Sequence, residues 1–496
     1  MAPRGIAAPG QPAGGLNPVG WQNLLTKVPM TSSTIEAIFA RQQDARWRVA
    51  ATSADQRKAK LKGLLEALMA HRAEAQAALA ADFRKAPEEV DLTELYPVIS
   101  ELKDALRHLS RWMRPRRVPT PIGLLGALGT IVHEPRGVVL IIAPWNYPIY
   151  LTLGPLVSAL AAGNCAVIKP SEFTPHTNAF LRKLLSGLFP EEEVALVEGE
   201  AETAQALLAL PFDHIFFTGS PTVGKVVMKA AAEHLSSVTL ELGGKSPVLV
   251  DADADLENAA RKIAWGKCVN AGQTCVAPDY VLVHVRVHDA LVEALKRALV
   301  DFYGAEADTR RLSPDLARII NPRHHARLLG LLQDSRGLVV FGGENDPATN
   351  YLGPTLLTEV DPASPIMQEE IFGPLLPILK VPDMDAAVAF VNARPKPLAL
   401  YVFSGDRRNA ESLIARTTAG GGCINDTLLH FAHTGLPTGG VNTSGFGKAH
   451  GRHGFETFSN ARGILRQRSR YSAIQLMYPP YTGFARRLID LTLKHF

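Results

Sequence analysis

The chain has 496 residues, 46% of them hydrophobic and 20% charged, with a formal net charge of +4. That length accommodates two or three domains with large buried cores, and the balance is that of a soluble globular protein rather than a disordered or fibrous one. So mild a charge asks for no polyanionic partner, and the basic runs (Arg111, Arg114, Arg116, Arg117; Arg466, Arg468, Arg470) read as solvated surface, so nucleic-acid binding is not expected.

Residues 1–30 are rich in Ala, Pro and Gly and lack the apolar core of a secretory signal, so a disordered tail is expected. Pro3, Pro9, Pro12 and Pro18 oppose the amphipathic helix of a mitochondrial presequence. From 35 to 110 the apolar spacing is helical, as in Lys58 to Ala80 with Leu61, Leu64, Leu65, Leu68 and Met69. The proline-rich run Pro115 to Pro121 ends this layer, and the apolar, glycine-spaced Ile122 to Val132 suits an extended arm.

Gly137 to Ile168 contains no charged residue and is long enough to suggest a membrane span. Pro144, Pro148, Gly154, Pro155, Gly163 and Asn164 interrupt it, so we read a buried strand, a polar loop, a small-residue helix ending at Gly163 and a second strand. Strand and helix patterns then alternate through Val194–Glu198, His214–Phe217 and Val238–Leu240. A second set follows near Pro247, Val281–Val285, Gly337–Phe341 and Leu376–Lys380. Alternation of this kind predicts an α/β protein with a doubly wound parallel sheet. After Tyr481, the spacing of Phe484, Leu488 and Leu491 is helical, with Arg486, Arg487 and Lys494 adding charge. This segment is too short and too charged to span a bilayer. It suits packing over a partner subunit or a tunnel mouth, with a membrane surface as the alternative.

Four cysteines, at 165, 268, 275 and 423, are too few for a disulfide scaffold and fit no zinc spacing. Free thiols and a reducing, cytoplasmic location are expected. His430 and His433, like His450 and His453, are three apart, but no Asp or Cys completes a metal pattern. Cys275 closes the run Gly272-Gln273-Thr274-Cys275, some thirty residues after Glu241-Leu242-Gly243-Gly244-Lys245. A thiolate is a strong nucleophile and a separate carboxylate can activate water. Asn146, in Ala143-Pro144-Trp145-Asn146-Tyr147-Pro148, adds an amide able to stabilise an oxyanion.

With these motifs the chain resembles the aldehyde dehydrogenase superfamily, and its class 3 branch in particular, from about residue 35 to about residue 470. The match also takes in Ile168-Lys169-Pro170-Ser171-Glu172, Phe217-Thr218-Gly219-Ser220, Gln368 to Pro374 and Ile424 to His430. The resemblance implies a nucleotide-binding domain (31–115 and 134–242), a catalytic domain (243–442), a bridging arm (116–133 and 443–470) that pairs subunits into a homodimer, and a tail (471–496). It implies that Cys275 attacks an aldehyde and that Asn146 and the Cys275 amide hold the oxyanion. A nicotinamide ring then takes the hydride, and Glu241 activates the water that cleaves the thioester.

Gly219-Ser220-Pro221-Thr222-Val223-Gly224 follows a strand and opens a helix, where backbone can approach a pyrophosphate. Relatives place Lys169 and Glu172 near the adenine ribose; the carboxylate favours NAD, and Lys169 leaves NADP open. Pro144, Trp145, Leu242 and Gly243 are further expected cofactor contacts, with Glu370 on the nicotinamide ribose and Phe372 beside the ring. Tyr147 is expected to wall the substrate pocket. Relatives carry an aromatic residue where Leu436-Pro437-Thr438-Gly439-Gly440 has Thr438, so Thr438 is expected to leave room for a broad or long aldehyde, aliphatic or aromatic. Two alternatives are an acylating dehydrogenase, against which Glu241 speaks, and a silent binding protein, against which the intact Cys275, Glu241 and Asn146 speak.

Overall fold

Five buried runs pair in parallel: Val138–Ile142, Cys165–Lys169, Val194–Leu196, His214–Gly219 and Ser237–Leu242. In space the third lies beside the second, then the first, the fourth and the fifth. The winding therefore reverses between Val138–Ile142 and His214–Gly219, and a crevice opens at the carboxyl ends of those two strands. The residues at that crevice are Ala143 to Asn146 after one strand and Gly219-Ser220 after the other. This is a computed structural model that describes residues 31–121, 124, 126–468, 470 and 472–495. The tail expected over 1–30 lies outside the described residues.

Helices cover both faces, which is why the strands are mostly apolar. Tyr150–Ala162 is the uncharged helix between the first two strands. It ends at Gly163, whose φ of 88° is left-handed and suits glycine. The guanidinium of Arg57 stands where a Cβ would be and donates to the carbonyls of Ala161 and Ala162, at 3.1 and 2.6 Å. The helical run expected over 58–80 is two helices, Ala54–Ala70 and Arg72–Phe83, broken at His71. The first packs on Tyr96–Trp112 and the second on Pro175–Ser186, so different partners set their directions.

Seven strands form the second sheet, in the order Leu338–Phe341, Thr355–Thr358, Leu375–Val381, Tyr280–His284, Pro247–Val250, Ala399–Phe403, Gly421–Ile424. Only the Leu338–Phe341 edge strand is antiparallel. An antiparallel arm joins Arg116–Val118, Ala127–Pro135 and Ser459–Gln467. The arm expected from 443 onward starts later than that. Gly445–Phe446 pairs instead with the Ser237–Leu242 edge of the first sheet, and the helix Gly451–Thr457 packs on Tyr150–Ala162. The last helix, Gly483–His495, buries only Ala485 and exposes Phe484, Leu491 and Leu493. Among the described residues no helix is long and apolar enough to cross a membrane.

Candidate active site

The helix Leu256–Cys268 gives way to a tight turn, Val269–Gly272, in which Asn270 and Ala271 have φ of 52° and 51° and Gly272 of 74°. Left-handed Ala is unfavourable and persists only where its surroundings over-determine it. The Asn270 amide donates to part-buried Glu89 at 2.8 Å, and its side chain donates to the Asn146 carbonyl at 2.7 Å. Gln273 is buried and donates to the Asn270 and Arg318 carbonyls, at 2.9 and 3.0 Å. These bonds tie the Asn146 loop of the first sheet to the turn that presents Cys275.

Two cavities meet at Cys275. One, of about 140 Å³, is apolar; Leu92, Tyr147, Tyr150, Trp265 and Phe431 are among its walls, and no charged side chain of the described residues lines it. The other is a cleft of about 270 Å³ at the carboxyl ends of the first sheet. It brings together Pro144, Trp145, Asn146, Gly219, Ser220, Glu241, Leu242, Gly243, Cys275, Glu370 and Phe372, all expected from the sequence. Asn146 is buried and its Nδ2 donates to the Gln273 carbonyl at 3.0 Å, which leaves its second N–H for another acceptor.

Burial dominates the electrostatics. It pushes the Cys275 thiol up, with the carboxyls of Glu370 and Glu241 adding to the effect and the amides of Cys275 and Val276 opposing it. Glu241 is pushed up to about 8 by burial, against the nearby Lys448 ammonium. Glu370 is likewise pushed up to about 8, by burial and then by Asp279. The Oε1 atoms of Glu241 and Glu370 are both buried without a hydrogen-bond partner. An orphaned carboxylate oxygen is costly unless a donor arrives, so the cleft is built to receive a hydroxyl-bearing molecule and water. A nicotinamide dinucleotide, whose ribose hydroxyls are donors, would fit these acceptors, with Glu370 as the residue to hold them. Its pyrophosphate fits the N-terminus of the helix Pro221–His234, which Ser220 caps.

Lys169, Glu172 and Gly224 do not line the cleft. Lys169 Nζ holds Glu172 Oε2 at 3.0 Å on the adjacent strand end. Gly224 lets the helix approach Leu242, whose Cδ2 would stand 2.7 Å from a Cβ there. Tyr147 does wall the apolar pocket, and its hydroxyl meets Thr274 Oγ1 at 2.6 Å. Thr438 does not. It is buried in an antiparallel bridge to Ala449, and its Oγ1 lies 3.2 Å from His450 Nδ1, so the fold-back of residues 438–449 turns it away from the pocket.

The walls that sequence reasoning missed come from three places. Tyr150 stands one turn after Tyr147, a helical spacing that could have been followed. Phe431 directly follows the Ile424–His430 motif. Leu92 lies in a π-helical turn, Asp91–Leu95, with nothing in the sequence to mark it. In the cleft, His324 and Arg327 lacked a motif; burial, then Arg327 and Arg323, lower His324 to about 4, and its ring lies 5.0 Å from that of Trp145.

Comparison with known proteins agrees with this geometry. The family model described as the aldehyde dehydrogenase family matches residues 11–464. The chain is 46% identical to 4,4'-diaponeurosporen-aldehyde dehydrogenase of Staphylococcus aureus over 86% of its own length and 92% of the relative. It is 45% identical to aldehyde dehydrogenase family 3 member B1 of Rattus norvegicus, over 89% and 94%. The solved substrate-bound structure of Staphylococcus aureus AldH superposes with a TM-score of 0.89 at 43% identity, covering 92% of this chain and 99% of that one. Matched along almost its whole length, the chain belongs to the aldehyde dehydrogenase family, as an enzyme that oxidises an aldehyde to the carboxylic acid with a nicotinamide cofactor.

Proposed function

We propose that Cys275 is the nucleophile, Asn146 the oxyanion donor and Glu241 the base for thioester hydrolysis, acting on an apolar medium- or long-chain or aromatic aldehyde. One observation carries this reading: Cys275 stands where an apolar pocket meets a polar cleft that also holds Glu241. The aldehyde carbon reaches the sulfur from the apolar side. As the C–S bond forms, the S–H bond of Cys275 gives up its proton to solvent in the cleft and the carbonyl oxygen becomes an oxyanion, received by the free N–H of Asn146 and the Cys275 amide; each such donor contributes ~3 kcal/mol. A nicotinamide ring held in the cleft would supply the acceptor for the hydride that leaves the aldehyde carbon as the oxyanion re-forms C=O and leaves a thioester on Cys275. Glu241 then takes a proton from water as its oxygen adds to the thioester carbon, and the Cys275 sulfur leaves with the C–S electron pair.

The absence of charge among the described pocket walls supports a substrate without a second carboxylate. The staphylococcal relative is named for 4,4'-diaponeurosporen-aldehyde, which agrees with an apolar substrate. NAD is the preferred cofactor in this reading, because Glu172 neutralises Lys169 and would repel a 2′-phosphate. The three-stranded arm and the exposed apolar face of Gly483–His495 support a homodimer. The four free cysteines suit the cytoplasm. Rates of NADH and NADPH formation at saturating cofactor, over a series of aldehydes of increasing chain length, test the reading. A best kcat/KM with acetaldehyde or with a semialdehyde acid would overturn it.

A further inference from the structure

Glu241 also lines a second, smaller cavity on its far side, of about 20 Å³, together with Glu101, Tyr150, Ser158 and His450. One water needs about 10–15 Å³ and two to four polar partners, and this cavity supplies both. Glu101 accepts from the Gly451 amide at 2.8 Å, and its other oxygen lies 3.6 Å from His450 Nδ1. His450 Nε2 in turn meets the Tyr150 hydroxyl at 2.9 Å. Burial and nearby His430 bring His450 down to about 3, so it is neutral and orients Tyr150 rather than storing a proton.

Glu101 belongs to the helix Tyr96–Trp112, where Asp104 and His108 follow it at one- and two-turn spacing on the same face. Asp104 Oδ1 and His108 Nδ1 are 2.9 Å apart, and Asp104 Oδ2 lies 3.0 Å from where a Cβ on Gly451 would stand, beside the amide that holds Glu101. Side-chain exposure climbs along the series: 4% at Glu101, 20% at Asp104 and 31% at His108. The helix thus presents a graded row of proton-accepting groups from the cavity behind Glu241 to solvent.

We propose that Glu101 receives, through the cavity water, the proton that Glu241 removes during thioester hydrolysis, and that Asp104 and His108 carry it out. The inference rests on the reading of Glu241 as the hydrolytic base. In the transfer, the Glu241 O–H bond breaks, the water passes a proton on, and an O–H bond forms on Glu101; Glu241 returns to the carboxylate needed for the next turnover. The charged and titratable groups around this path are Glu101, Asp104, His108, Tyr150, His450 with His430 near it and, across the cavity, Glu241 with Lys448 beside it. Burial raises both carboxyls, Glu101 to about 7 and Glu241 to about 8, so each can hold a proton near neutral pH.

The test compares the NADH burst with steady-state turnover in Glu101→Gln, Asp104→Asn and Glu241→Gln of the full chain. Glutamine keeps the acceptor for the Gly451 amide but cannot take a proton. Glu101→Gln is expected to keep a full burst and lose about tenfold in steady-state turnover, a loss partly restored by added formate or imidazole as a proton carrier. Asp104→Asn is expected to lose less, in the same direction. Unchanged turnover in Glu101→Gln overturns the relay, as does a joint loss of burst and turnover that no carrier restores. If Glu101→Gln does not fold, Asp104→Asn decides alone, and full turnover with an unchanged solvent deuterium isotope effect overturns the relay. Glu241→Gln separates the two readings: full turnover there sinks the base assignment, whereas loss there with none at Glu101 sinks only the relay.

Discussion

Lys85 and Glu94 form an ion pair with both side chains fully buried, Nζ to Oε1 at 2.9 Å, under the loop that carries Asn146. The second Glu94 oxygen accepts from the amides of Ile149 and Tyr150 at 3.1 and 3.0 Å, at the start of the helix Tyr150–Ala162. The Lys85 ammonium lies 4.7 Å from the centre of the Tyr147 ring. One desolvated pair thereby holds the Asn146 loop, a pocket wall and a helix start in a single geometry.

Lys85→Met should leave the Glu94 charge buried and unpaired, at a cost of about 3–5 kcal/mol. Adding Glu94→Gln removes that charge while keeping the acceptor for the two amides, so the double variant should be more stable than Lys85→Met alone. Thermal unfolding of the three proteins checks this; a double variant less stable than the single would mean that the unpaired Glu94 charge is not the source of the loss.

Cys275→Ala should abolish aldehyde oxidation and leave cofactor binding intact. Its side chain sits at the junction of the two cavities, and removing a nucleophile costs several decades of rate, or about 4 kcal/mol and more. Cofactor affinity by fluorescence titration, measured beside turnover, separates the two effects. Turnover above a few hundredths of the native rate is incompatible with covalent catalysis at this residue.

In the proposed role as base, Glu241 acts as the carboxylate, and burial raises that carboxyl to about 8. Steady-state turnover limited by hydrolysis should therefore fall as pH drops below about 8, while the NADH burst keeps a larger share of its amplitude. Glu241→Gln should keep the burst and abolish the pH-dependent steady-state limb. Loss of the burst in that variant would instead assign Glu241 to activating Cys275.

The parallel sheets were legible where both faces are buried, as in Val138–Ile142, because continuous apolar runs between glycine-marked turns leave few alternatives. Gly421–Ile424 was not, since two glycines carry no pattern and its place is set by pairing with Ala399–Phe403. In the cleft, local motifs named most of the residues that converge, because strand ends and helix starts fix their directions. The apolar pocket was less legible. Trp265, Phe431 and Leu92 come from an α-helix, a 3-10 turn and a π turn far apart in sequence, and their meeting depends on tertiary packing. Nothing in the sequence marks Lys85 and Glu94 as partners; only the fold buries both.

Pocket size should therefore answer to Phe431 rather than to Thr438. Phe431 walls the apolar pocket, and its ring lies 6.2 Å from that of Tyr150 and 5.2 Å from that of His450. Phe431→Ala should admit bulkier aldehydes and flatten the gain per methylene. That gain is ~0.8 kcal/mol for each group buried in the transition state of the native enzyme. Thr438→Phe should behave differently. The larger ring has no space beside His450 and would overpack a buried site, lowering stability by about 1–3 kcal/mol without selecting among aldehydes. Ratios of kcat/KM across an aldehyde series, with melting temperatures for both variants, tell the two effects apart. A selective loss of bulky substrates in Thr438→Phe at native stability would return position 438 to the pocket wall.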